Sequence, residues 1–227
     1  TGCDLFNLQT IKVTGNCLLA PETIIKNARI APGANILAVN LAAVRKNVLS
    51  NYWIDDAEVT REMPGTIVIA VTEYAPLAII DMGTAFLMDS QERLFKPLED
   101  VSRQPAVRST LPVISGLDYS DLGADGKPGS AVFKAALAVV KTGQAVEHLV
   151  PGMHIREVVA DPENGIAVRA FDDIDNIYLG FDDYFLKFKR LKKILHDWDK
   201  TGQKQHIAAI NFESSGRAVL QPAREGS

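Results

Sequence analysis

Cysteine is nearly absent, with two in 227 residues. Two thiols support neither a disulfide-dense scaffold nor a four-thiolate zinc site. Cys3 and Cys17 flank a predicted strand. Extended backbone, at roughly 3.3 Å per residue, holds them farther apart than the roughly 7 Å that a disulfide spans. We therefore read both as unpaired. Long apolar runs are missing too. The longest, Ile67–Val71 and Pro76–Ile80, are strand-sized, far short of the ~20 residues of a membrane helix. Thr1-Gly2-Cys3-Asp4 lacks the charged-then-apolar pattern of a secretory leader. The chain is thus either wholly soluble or the soluble part of something longer. Neither sign of charge is in large excess: 24 Lys and Arg against 28 Asp and Glu give a net charge of −4, which argues against wholesale wrapping of nucleic acid and leaves room for a local basic patch. No repeat appears at solenoid periods.

The hydrophobic share, 47%, is that of a globular protein. Leu8–Val13 alternates apolar and polar residues, as a half-buried strand does. Pro21 and Glu22 suit a first helical turn, with Ile24, Ile25 and Ala28 on one stripe. Asn40 is the expected cap of a second helix, whose Leu41, Val44, Val48 and Leu49 share a face. Two strands follow, Ala57–Glu62 and Thr66–Glu73, turning at Pro64-Gly65. The first unit therefore reads β-α-α-β-β over residues 1–75.

Beyond Pro76 the pattern is mostly β, with short strands at Leu77–Ile80, Thr84–Met88, Arg93–Phe95, Leu111–Ile114, Ile155–Ala160, Ile166–Ala170 and Ile177–Gly180. Residues 99–110 read as loop. Two helices interrupt the strands, Ala131–Val146 and Tyr184–Lys200. The second is expected to turn Phe185, Phe188, Leu191, Leu195 and Trp198 inward. Ile207–Phe212 and Arg217–Leu220 form a last hairpin around Ser214-Ser215-Gly216, and the tail at 223–227 reads as disordered. The fold class is α+β, its second domain spanning 76–222.

Motifs of catalysis fail one by one. In Gly123–Ser130, Pro128 and Gly129 separate the lysine from the serine, so the loop does not match a phosphate cradle. Asp172, Asp173 and Asp175 lack the register of a calcium loop. His148, His154, His196 and His206 never fall at the spacing that puts two imidazoles on one helix face. The basic run Lys187, Lys189, Arg190, Lys192 and Lys193 fits either an ordinary wet helix face or a surface for anionic lipid or an acidic partner. Asp182, Asp183, Asp197 and Asp199 offset it and favour the wet face.

One stretch is more specific. Trp53, Ile54, Ala57, Val59, Arg61, Pro64, Thr66, Ile69, Val71, Glu73, Pro76 and Ala78 fall at the spacings of a run in the FtsQ/DivIB family of bacterial cell-division proteins, and the chain resembles that family. Leu87–Asp89 through Phe95, Leu111-Pro112 through Gly116, and Leu179-Gly180 before the last helix are similar to its later hairpin, "L-P" and "L-G" segments. The resemblance implies a POTRA domain followed by a mostly antiparallel β domain with flanking helices. It implies a single-pass protein of the bacterial inner membrane, anchored by an N-terminal helix outside this sequence, with this part extracytoplasmic (periplasmic). It implies a non-enzymatic divisome scaffold with no catalytic residue, cofactor or metal, which links early and late division proteins and binds FtsB and FtsL. Other divisome proteins are expected at the POTRA domain, and nucleic acid is not.

Carried over by position, the partner-binding residues are Phe212, Ser214, Gly216, Arg217, Val219 and Leu220. The family usually has Tyr where Phe212 stands, and the turn here holds one extra residue. A free sheet edge supplies an independent physical reason, because its unpaired N–H and C=O groups accept an incoming strand. Whether Phe212 and Val219 face a partner or the protein's own core stays open on the residues alone. The alternative function is a POTRA-type chaperone or docking module for outer-membrane protein assembly or polypeptide transport.

Overall fold

The structure, a computed structural model, describes residues 6–98, 110–201, 206–212 and 218–222. Cys3, most of the expected loop at 99–110, Ser214, Gly216, Arg217 and the tail at 223–227 lie outside the described residues. The chain divides into two compact units, Thr1–Ala75 and Pro76–Ser227.

The first unit holds β1 (Thr10–Thr14), α1 (Pro21–Ala28), α2 (Leu41–Leu49), β2 (Ile54–Glu62) and β3 (Thr66–Glu73). Pro21 opens α1, where its missing N–H costs nothing. The Asn40 side chain accepts from the Ala43 N–H and caps α2. The sheet order is β1-β3-β2, with β1 parallel to β3 and β2 antiparallel to it. Ile24 and Ala28 of α1 and Val44 and Val48 of α2 bury against Ala57, Ile67, Ile69 and Val71.

Two residues of the quoted run tie the connections down. Arg61 donates from Nε to Ile36 O at 2.8 Å and from a terminal nitrogen to Val39 O at 2.5 Å, holding the link between the helices. The Glu73 carboxylate accepts from the Leu18 and Leu19 amides at 2.6 and 3.1 Å, fixing the approach to α1. These charge-assisted bonds satisfy loop backbone that no ladder reaches.

The second unit carries β4 (Pro76–Asp81), β5 (Ala85–Asp89), β6 (Leu94–Leu98), β7 (Val113–Ser115), α3 (Ala131–Val146), β8 (Glu157–Asp161), β9 (Gly165–Arg169), β10 (Ile174–Gly180), α4 (Tyr184–Thr201), β11 (Ile207–Asn211) and β12 (Val219–Pro222). They form one nine-stranded sheet in the order β12-β11-β10-β9-β8-β7-β4-β5-β6. Five neighbouring pairs are antiparallel, while β4–β7, β7–β8 and β10–β11 are parallel. The fold is α+β and mostly antiparallel.

Ser130 caps α3 by accepting from the Phe133 N–H. Phe133, Ala136, Val139 and Val140 of α3 join Phe188 and Leu191 of α4 in the core, over Ile114, Val158, Val168, Ile177 and Ile210. The expected inward stripe of α4 needs one correction. Phe185 is exposed, because steps of three residues walk about 60° back around a helix and leave it well outside the buried arc. Lys187 takes a core position instead, 8% exposed.

Candidate functional site

β12 is the outermost strand of the large sheet. It pairs antiparallel with β11 through Asn211↔Val219, Ile210↔Leu220 and Ala209↔Gln221, and a register shift precedes Ile207↔Pro222. Among the described residues no strand pairs with its other side. In an antiparallel ladder alternate residues direct N–H and C=O to opposite sides. Half of the polar backbone of β12 therefore faces outward. Pro222, which has no N–H, stands where an edge tolerates it.

Residues opposite one another in paired strands share a face. Val159, Ala167, Tyr178, Asn211 and Val219 form one row across the sheet, on the face away from α3 and α4. A cavity of about 380 Å³ lies over that row and reaches the edge strand at Gln221. Val158, Val168, Ile177, Ile210 and Leu220 form the adjacent row on the helix-covered face. The first four are buried in the core, whereas Leu220 is 48% exposed. Val219, on the open face, is 50% exposed. The edge strand thus offers one half-exposed apolar side chain to each face, which suits a strand that alternates apolar residues.

Phe212 is placed differently. It is 3% exposed and belongs to the core, and its N–H donates to Tyr178 O at 2.8 Å. Its side chain packs in the core at the end of β11, the inward of the two placements that the residues alone leave open. Tyr178 is exposed beside Asn211 on the open row, and no motif in the sequence marks it. The alternation of β10 accounts for its exposure, since Ile177 and Leu179 are buried and Tyr178 between them is not.

The turn into α4 lies at the same end of the sheet. Asp182 and Asp183 have φ of 98° and 50°, values that side chains other than glycine rarely adopt. Lys187 Nζ holds this turn by donating to Leu179 O at 2.7 Å, Asp182 O at 2.9 Å and Asp182 Oδ1 at 3.2 Å. Lys187 is thus not part of a wet basic face. Burial, with the Asp182 carboxylate as a second cause, pushes the Tyr184 phenol up to about 12.

The other chemistry-bearing segments spend their groups internally. In the glycine-rich loop the amides of Gly123, Gly126, Gly129 and Ser130 donate to backbone carbonyls, and that of Lys127 donates to Asp125 Oδ1 at 3.1 Å. Asp172 pairs with Arg156, and Asp175 with His206 at 2.8 Å. Glu147 takes His154 at 3.2 Å.

A family model described as "POTRA domain, FtsQ-type" matches residues 6–74, the β-α-α-β-β unit. The cell division protein FtsQ of Syntrophotalea carbinolica is 30% identical over 193 residues, covering 84% of this chain and 66% of that protein. The chain belongs to the FtsQ/DivIB family. The FtsQ of Anaeromyxobacter sp. (strain K) is 27% identical over 209 residues, 92% of this chain and 68% of that protein. A cell division protein DivIB, from Clostridium tetani, is 31% identical over 104 residues, 45% of this chain and 39% of that protein. The chain spans just under two thirds of the Syntrophotalea FtsQ. Both FtsQ alignments cover far more than the POTRA unit, so the family likeness extends into the nine-stranded sheet. Among the described residues no helix is long and apolar enough to cross a membrane.

Proposed function

We propose that this chain is the extracytoplasmic part of a membrane-anchored, non-enzymatic divisome scaffold. It links early and late cell-division proteins and binds FtsB and FtsL by adding a strand to β12. One observation carries the reading: β12 closes the sheet with an outer side that pairs with no described strand, and Val219 and Leu220 stand half-exposed on opposite faces of it. An added strand gains backbone hydrogen bonds from the edge and apolar contacts from those two side chains. Family membership supports the cellular setting. A transport-type POTRA protein carries several such units in series, whereas one unit is matched here, and it is of the FtsQ type.

Proline scanning tests this. Of two neighbours, one directs its amide to β11 and the other outward. Val219→Pro and Leu220→Pro therefore have different consequences. One disrupts the β11–β12 pairing and lowers the unfolding midpoint. The other leaves the fold intact and abolishes capture of the extracytoplasmic part of FtsB, measured by calorimetry. Wild-type affinity in both variants, with both folded, refutes strand addition at this edge.

A further inference from the structure

The start of α4 carries an exposed apolar group beside unpaired cations. Phe181, Phe185 and Leu186 are all exposed large apolar side chains within six positions. Lys189 Nζ stands 4.5 Å from the centroid of the Phe185 ring, a cation–π contact that orients both. Arg190, Lys192 and Lys193 follow on the exposed side of the helix. Among the described residues no carboxylate pairs with Lys189, Arg190, Lys192 or Lys193. Asp182, the acidic group next to them in the turn, is engaged by Lys187. Among the described side chains, Asp183 and Asp197 are the exposed carboxylates left nearby in sequence, two against four cations.

The position of this surface matters as much as its charge. Tyr178 lies in register with Asn211, and Asn211 with Val219. The chain leaves β10 for Phe181 at the end of the sheet where β12 begins. A partner strand on β12 has one of its two ends at that same end of the sheet, in whichever direction it runs. The patch is also held in place, because the Lys187 contacts fix the turn that presents Phe181.

We propose that this face of α4 is a second docking surface, taken by an acidic segment with apolar anchors that flanks the strand added at β12. The proposal rests on the strand-addition reading and specifies the chemistry of the partner beyond the strand itself. An acidic protein segment fits better than lipid. A helix lying on a membrane buries its continuous apolar face there. Here that face, with Phe188 and Leu191, is already in the core, and the exposed apolar group is confined to one end.

The test is binding of the extracytoplasmic parts of FtsB and FtsL to this chain across a salt series. Lys189→Glu with Lys193→Glu weakens binding about tenfold at low salt and flattens the salt dependence. Phe185→Ser with Leu186→Ser weakens binding and leaves the salt dependence in place. Every altered side chain is exposed, so the unfolding midpoint stays as in wild type. Wild-type affinity and salt dependence in the charge-reversed chain overturn the proposal. If proline in β12 still abolishes binding in that case, strand addition stands and only the α4 surface falls. Failure of the wild-type chain to bind sinks both. Charge-sensitive binding to phosphatidylglycerol vesicles, with partner affinity unmoved by the substitutions, overturns it in favour of a lipid surface.

Discussion

Lys187 shows how one residue escapes a compositional reading. It sits in a run of cations, and such runs normally face water. Its place on the helix puts it on the core arc with Phe188 and Leu191, and the chain accepts this because three oxygens receive its ammonium. An unpartnered buried ammonium costs far more than these bonds return. Two of the acceptors are backbone carbonyls of the turn, so the residue works as a staple between β10 and α4. Lys187→Met keeps most of the volume but leaves Leu179 O and Asp182 O without their donor. A loss of about 2 kcal/mol is expected, read from urea unfolding of the two chains. An unchanged midpoint would show that water replaces the ammonium without penalty. The same blindness to burial left Phe212 open between partner and core. Sequence spacing says which side of β11 it takes, and only the packed sheet says that this side is covered.

At the scale of elements, the local signals were strong where they are chemical. The cap Asn40 and the proline of α1 sit at helix starts, and α3 spans the residues that its apolar spacing marked. The pairing direction of strands was not legible. An alternating strand reads the same beside a parallel or an antiparallel neighbour. The segments 174–180, 184–201 and 207–211 look like strand, helix and strand, and they build a crossover with β10 parallel to β11. Glycines were visible in the sequence, Gly116 among them in the quoted "L-P" segment, but unexplained until backbones met. A Cβ on Gly116, at φ 82°, would stand 2.1 Å from Ala160 O, and one on Gly165, also at φ 82°, would stand 2.4 Å from the Gly180 carbonyl carbon. Backbone cannot yield as a side-chain tip does. Gly165→Ala therefore forces β9 away from β10 and adds left-handed strain, a cost of about 3 kcal/mol. Chemical unfolding measures it, and a variant within about 0.5 kcal/mol of wild type would show that the strands separate freely.

The whole molecule carries two hydrophobic cores in sequence-contiguous units. Each has its own sheet, and no strand of one pairs with a strand of the other among the described residues. Units built this way fold on their own cores, and in the sequence the expectation of a boundary there rests on Pro76, which interrupts strand pairing. The candidate edge and the exposed face of α4 both belong to the second unit. A chain of residues 76–227 should therefore fold alone and bind the extracytoplasmic part of FtsB within about threefold of the full chain, since the interface keeps every proposed contact. Residues 1–75 alone should fold, with β1-β3-β2 closed over α1 and α2, and should not bind. Calorimetric titration of both fragments checks this. Binding that follows residues 1–75, or that needs both units together, would move the partner's main contact to the smaller sheet and away from β12.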